Sequence, residues 1–336
     1  MRTLPLLVLL AVGTALAAFP VTSYDYQHPH QQISPVAAGM GGLNLSLAGD
    51  PGLLYANPAL LGQNKSTVVS VGFKLQDRDE IDAAQMLNAA NILRKNQLVS
   101  LHVAAEGGAF AIRPLASIDE QRSWEAGGTV FTEDENYLLT AYQLGMAETS
   151  GKVTYGLGFK YLNGRLVYLR QHETELGSVT DEFVDDRLHG LSIDFGLTVD
   201  LGAVTWGITA WDVYSHLWWM HHTDRTITKR LGTTLGWQSG NTALVVGTQR
   251  QWNTASDQTY HAGVQHALSL GGDAENPRGL LIRAGAYSHD YEHAETVYSS
   301  LGLSFYMKAF RVDTSMATHD LALNNTRYLV TISMGM

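Results

Sequence analysis

From Leu191 to Leu201 every second residue is apolar: Leu191, Ile193, Phe195, Leu197, Val199 and Leu201 oppose Ser192, Asp194, Gly196, Thr198 and Asp200. Lys152 to Leu162 repeats the pattern, with Val153, Tyr155, Leu157, Phe159 and Tyr161 set against Lys152, Thr154, Gly156, Gly158 and Lys160. A period of two belongs to a β-strand, and about 9 to 11 residues let a tilted strand cross a bilayer. One face of each run suits lipid and the other a polar interior, which is the pattern of a transmembrane barrel. A soluble β-sandwich would have to bury such long apolar faces under further protein.

Segments of this kind recur at 67–74, 98–105, 108–114, 137–147, 152–162, 190–201, 203–213, 230–238, 242–251, 259–268, 279–288, 298–308, 309–318 and 327–336. They predict an all-β fold, a transmembrane antiparallel barrel of about 14 strands, an even number as bacterial barrels have. Ser123 to Phe131 falls outside this set. Thr149-Ser150-Gly151, Ser239-Gly240-Asn241 and the junction near Gly202 read as short periplasmic turns. The polar stretches Asn163 to His189 and Ser215 to Lys229 read as extracellular links.

Composition agrees. Charged residues make up 16% of the 336, against roughly 25% in an average soluble domain. The mean hydropathy of -0.07 excludes a helical membrane bundle, whereas a barrel stays near zero because only alternate residues face lipid. A net charge of -10 without a basic cluster argues against nucleic acid as a partner. Cysteine is absent, so thiolate catalysis, Cys-based metal sites and a lipoprotein anchor are excluded.

Met1 to Ala18 carries one positive charge, an apolar core and the small-residue pattern Ala15-Leu16-Ala17, as a cleaved secretory signal peptide does. Residues 19–34 read as an extended polar segment. Residues 35–62 then pack turn signals and short apolar pieces together: Gly39, Gly41 and Gly42, the turn Asp50-Pro51-Gly52, and the turn Asn57-Pro58 before Ala59. This is a compact plug ahead of the barrel proper, 63–336. A helix is expected near 80–96, acidic at its start and basic at Arg94-Lys95.

The order Gly39-Met40-Gly41-Gly42, then Asp50, then Asn57-Pro58-Ala59-Leu60 resembles the N-terminal hatch of the FadL-type outer-membrane transporters. It also resembles the PorV and PorQ type barrels of the type IX secretion apparatus. The resemblance implies a hatch inside a barrel lumen in a Gram-negative outer membrane. It also implies passive transport of hydrophobic or amphipathic small molecules, or a non-conducting accessory role with secreted proteins as partners. The alternating C-terminal positions Tyr328, Val330, Ile332, Met334 and Met336 resemble the closing strand read by the barrel-assembly machinery, with Met where an aromatic is usual.

Trp211, Tyr214, Trp218 and Trp219 suit an interfacial aromatic girdle or a ligand mouth. No cofactor motif is present: the glycine-rich pieces lack the Lys-Ser or Lys-Thr of a phosphate loop, and no strand leads GMGGLNLSLAG into a helix. His221, His222 and Asp224, and the run Ser288 to Glu295, are the densest ligand-type clusters, and both read as solvated loop tips without metal. No nucleophile and base pairing stands out, so no catalytic residues and no enzymatic activity are expected.

Overall fold

A computed structural model describes residues 34–75, 98–175, 177–252, 258–272, 277–288, 297–319 and 326–335. Its strands are β1 (Val68–Leu75), β2 (Leu98–Ala105), β3 (Gly108–Ala126), β4 (Thr129–Ser150), β5 (Val153–Thr174), β6 (Gly177–Asp200) and β7 (Val204–Trp219), followed by β8 (Arg230–Ser239), β9 (Thr242–Gln251), β10 (Gln258–Ser269), β11 (Arg278–Ser288), β12 (Val297–Met307), β13 (Phe310–Thr318) and β14 (Arg327–Gly335). Each pairs antiparallel with its neighbours in sequence, and β1 closes the ring on β14, with Val68 opposite Gly335. Closure leaves no strand edge unpaired, as a bilayer demands.

The outward face is apolar where lipid would touch it. Tyr142 and Leu144 on β4, Tyr155, Leu157 and Phe159 on β5, Phe195 on β6, and Leu301 and Leu303 on β12 all expose large side chains. Alternate residues between them point inward and are small or polar: Thr154, Lys160, Ser192, Asp194, Thr198, Ser300 and Ser304 are buried. At one end the strands are joined by tight turns through Gly107, Gly151, Gly240 and Lys308, the last at a left-handed φ of 55°. Barrels of this kind put short turns on the periplasmic side.

The ring is uneven in height. Strands β4, β5 and β6 run for 22, 22 and 24 residues, whereas β8 to β14 have 9 to 12. Of the stretch Asn163 to His189, expected as a loop, Asn163 to Thr174 continues β5 and Gly177 to His189 begins β6, paired with Arg165 opposite Arg187 and one register shift between Arg170 and Gln171. Ser123 to Phe131 is the tip of the β3–β4 hairpin, and Ser215 to Trp219 still belongs to β7. Backbone pairing continues beyond the lipid, where the outer face turns polar: Arg165 and Asp185 meet there at 2.8 and 2.7 Å. The helix expected near 80–96, the leader 1–18 and the segment 19–33 lie outside the described residues.

Three register shifts interrupt the tall wall, one of them between Arg170 and Gln171, where Asp181 of β6 is extra. On β3, Leu115 is extra between Pro114 and Ala116; Pro114 has no N–H to give the ladder, so a bulge is a natural place for it. On β7, Trp211, Asp212 and Val213 together oppose the single Asp194, and Asp212 takes a left-handed φ of 54°.

Candidate functional site

Residues 34–63 are packed against the inner wall of the barrel. They form α1 (Pro35–Gly39), α2 (Leu53–Ala56) and a 3₁₀ turn (Pro58–Gln63), joined by turns. Ser34 caps α1 by accepting from the Ala37 N–H, and its hydroxyl donates to Asp50 at 2.5 Å. The Asp50 carboxylate also accepts from the Gly52 N–H at 2.7 Å. Burial pushes this carboxyl above its ordinary value, against the pull of those two hydrogen bonds.

Asn57 is fully buried and occupied on both sides of its amide. Its Oδ1 accepts from the Ala59 N–H at 3.0 Å, capping the 3₁₀ turn, while Nδ2 donates to the carbonyls of Leu45 at 2.7 Å and Leu197 at 3.2 Å. Pro58 occupies the first turn position, where a missing N–H costs nothing. The triplet Asn57-Pro58-Ala59 therefore ties the segment to itself and to β6. Ala59 N and Pro58 lie so close to Gly156 and Gly196 that a Cβ on either glycine would overlap them.

The other end docks on the opposite wall. Gly41, at φ +77°, leaves no room for a Cβ between the Ala262 and Ala286 carbonyls. Its N–H donates to Ser300 at 3.2 Å, and its carbonyl accepts from His261 Nδ1 at 2.6 Å. Gly39 lies against Gly302, and Gly42 donates to Ala37 at 2.8 Å. The Gly49 carbonyl accepts from Arg311 at 2.6 Å. Arg311 and Arg283 both reach Asp313, the latter at 3.6 Å. Asn44 goes unmarked in the sequence reading, yet it closes the intervening turn by exchanging two hydrogen bonds with Leu47.

Beside the segment on the tall wall lies a buried charge group. Lys160 donates to Asp194 and Asp212, each at 2.7 Å, with all three side chains sealed from solvent. Ser192 adds a hydrogen bond to Asp212 and Gln143 one to Asp194. The β7 bulge makes this possible, because the left-handed Asp212 gives its own N–H to Asp194 at 2.8 Å. Trp211 turns inward at the same bulge and donates to the Tyr55 carbonyl at 3.1 Å, with Arg230 over its ring.

Farther from the short turns, the inward face of β3 to β7 becomes apolar. Leu115, Tyr137, Leu139, Leu162, Leu166, Leu188, Leu217 and Trp219 form one buried cluster, to which Ile227 adds from the loop after β7. Asp186 accepts from His221 at 3.1 Å and from His222 at 2.5 Å, fastening that loop to β6. The aromatic group thus divides: Trp211 and Trp219 face inward and are buried, while Tyr214 and Trp218 are exposed on the outer face. Asp224 pairs with His216 at 3.1 Å, apart from Asp186. Among the described residues no cluster of three or more His, Asp or Glu could hold a metal ion; the residues 289–295 lie outside them.

Comparison with known proteins gives no matching family model and no matching curated sequence. Solved structures do match. The chain superposes on a monoaromatic hydrocarbon channel, CymD, with a TM-score of 0.56 at 12% identity, covering 90% of this chain and 97% of that one. The toluene transporter TbuX of Ralstonia pickettii gives 0.54 at 11% identity, over 90% and 96%. A FadL homologue of Pseudomonas aeruginosa gives 0.51 at 9%, over 88% and 96%. The fold is that of the FadL-type barrels.

Proposed function

We propose that this chain is a passive outer-membrane transporter of hydrophobic or amphipathic small molecules, exported by its N-terminal leader. The carrying observation is the inward apolar cluster on β3 to β7, which stands where most of the wall's interior is polar. An apolar surface enclosed by tall strands takes a hydrophobic molecule out of water at roughly 25 cal/mol per Å² of apolar area buried. Residues 34–63 act as a plug: a shift in them opens the path, and the molecule leaves through the barrel or sideways into the bilayer. The FadL-type fold supports this reading, and nothing in it calls for catalysis. The accessory alternative, a scaffold for secreted proteins, has no use for an apolar inner wall.

The test is uptake into proteoliposomes of a hydrophobic fluorophore by the purified chain and by Leu166→Glu, which puts a charge into the apolar cluster. Uptake by the native chain and its loss in the variant, with heat-modifiable migration retained, is the expected result. Equal uptake by both, or by neither, would overturn the transport reading.

A further inference from the structure

Arg113 on β3 is a buried cation without an anion. Its guanidinium lies 4.7 Å over the ring of Tyr55, so helix α2 of the docked segment covers it. The Nε is sealed from solvent without an acceptor, and no carboxylate among the described residues forms an ion pair with this side chain. The inward residues around it, Ser100 and His102 on β2 and Ala141 and Gln143 on β4, include no acid. A buried charge without a partner is costly, and a ring face returns only part of what water or an anion supplies.

The rest of the wall behind residues 34–63 does not cancel this charge. Lys160, with Arg230 over Trp211 beside it, matches Asp194 and Asp212 in number. On the opposite side Arg283 and Arg311 share the single Asp313. These groups leave two more cations than acids on the covered wall. Asp50 is the one charged residue within 34–63, and it moves with the segment.

The chain as a whole carries -10, so the covered wall differs in sign from the molecule. Above it, the nearest acid on the inner face of the tall strands is Asp186, opposite Leu166, whereas Arg113 is level with Leu162 through Ala141. Four residues of strand put Asp186 about 13 Å higher, past the Debye length of about 10 Å at ~0.1 M salt. It is also bound by His221 and His222. Charged side chains lining a pore act at close range on every ion that passes and so select its sign.

We propose that the lumen uncovered by a shift of residues 34–63 is selective for small anions, and that a carboxylate or inorganic anion takes the place of the Tyr55 ring at Arg113. This rests on the reading of that segment as a plug, but it does not require that a hydrophobic molecule be carried.

The experiment is single-channel recording of the full chain in planar bilayers under a potassium chloride gradient, with Arg113→Gln, Arg113→Lys and Arg165→Gln alongside. Openings of the native chain should reverse toward the chloride potential. Arg113→Gln should lower the ratio of chloride to potassium permeability about two- to fivefold, the weight of one unit charge acting through water. Arg113→Lys keeps the charge and should keep the ratio; Arg165→Gln, on the exposed outer face, should leave it unchanged. Preference for potassium, or none, overturns the anion selectivity. A ratio that Arg113→Gln does not move overturns the site at Arg113. Should Arg113→Gln lose its heat-modifiable migration, Arg113→Met replaces it in the same measurement. If native openings are too rare to score, Gly196→Val supplies them without altering any charge. Silence of both chains overturns the plug itself, a result distinct from openings of the wrong sign.

Discussion

The wall from β3 to β7 and the wall from β8 to β14 face each other across the same lumen and grip the same segment, by different chemistry. The tall wall meets residues 54–63 through glycines, the amide of Asn57 and the indole of Trp211. The short wall meets residues 39–49 through Ser300, His261 and Arg311. The tall wall then continues past what a bilayer crossing needs, since 22 residues of strand extend about 70 Å. Holding the segment takes only the lower part of either wall. The surplus height, with its apolar interior, takes no part in holding the segment.

Breaking the charge group on each wall should separate them most clearly. Lys160→Met strands Asp194 and Asp212 in a sealed site, and removing one partner of a buried pair costs about 3–5 kcal/mol. Arg283→Met should cost less, because Arg311 still holds Asp313 at 2.6 Å. Thermal melts of the two variants in detergent measure the difference, and equal losses would mean that the two walls are anchored alike.

Next in size is Gly196→Val, which drives a side chain into Asn57 and Pro58. Overpacking of this kind costs roughly 1–3 kcal/mol, here borne by the docked segment more than by the barrel. Planar-bilayer conductance should rise while heat-modifiable migration is kept. Deletion of 35–62 should give the same open phenotype more fully, and a deletion with unchanged conductance would remove the plug from the picture.

A smaller effect follows from pH. Asp50 has a carboxyl raised by burial above its ordinary value of 3.8. Its contribution to docking is therefore fully present below 3.8 and is lost as pH rises through the higher docked value. Openings in bilayers should be rarer at acidic than at neutral pH, and Asp50→Asn should flatten that dependence. Smallest of all is Arg165→Ala, which breaks an exposed pair above the membrane band; no measurable change in melting is expected.

The strand centres were legible because lipid imposes its period on them: the expected 98–105 and 242–251 coincide with β2 and β9. The tall extensions were not, and β5 shows why. From Tyr155 to Tyr161 the outward residues are apolar and the inward ones small or polar; beyond Leu162 the inward residues Leu162, Leu166 and Tyr168 are apolar and the outward Asn163 and Arg165 polar. The alternation survives with its phase reversed. Read as loss of pattern, this gives a loop; read as an inversion, with Tyr161 and Leu162 adjacent, it marks where lipid ends and an apolar interior begins. The glycine and Asn-Pro-Ala residues of the segment could be picked out from the sequence alone. Asp212 could not, because no local signal announces a left-handed aspartate.

The closure of β1 on β14 sets an order of events during assembly. Gly41 meets Ser300, and Gly49 meets Arg311, only once strands near the end of the chain have been laid down. The segment joins β1 through a few residues, so the beginning and the end of the chain complete their packing against each other.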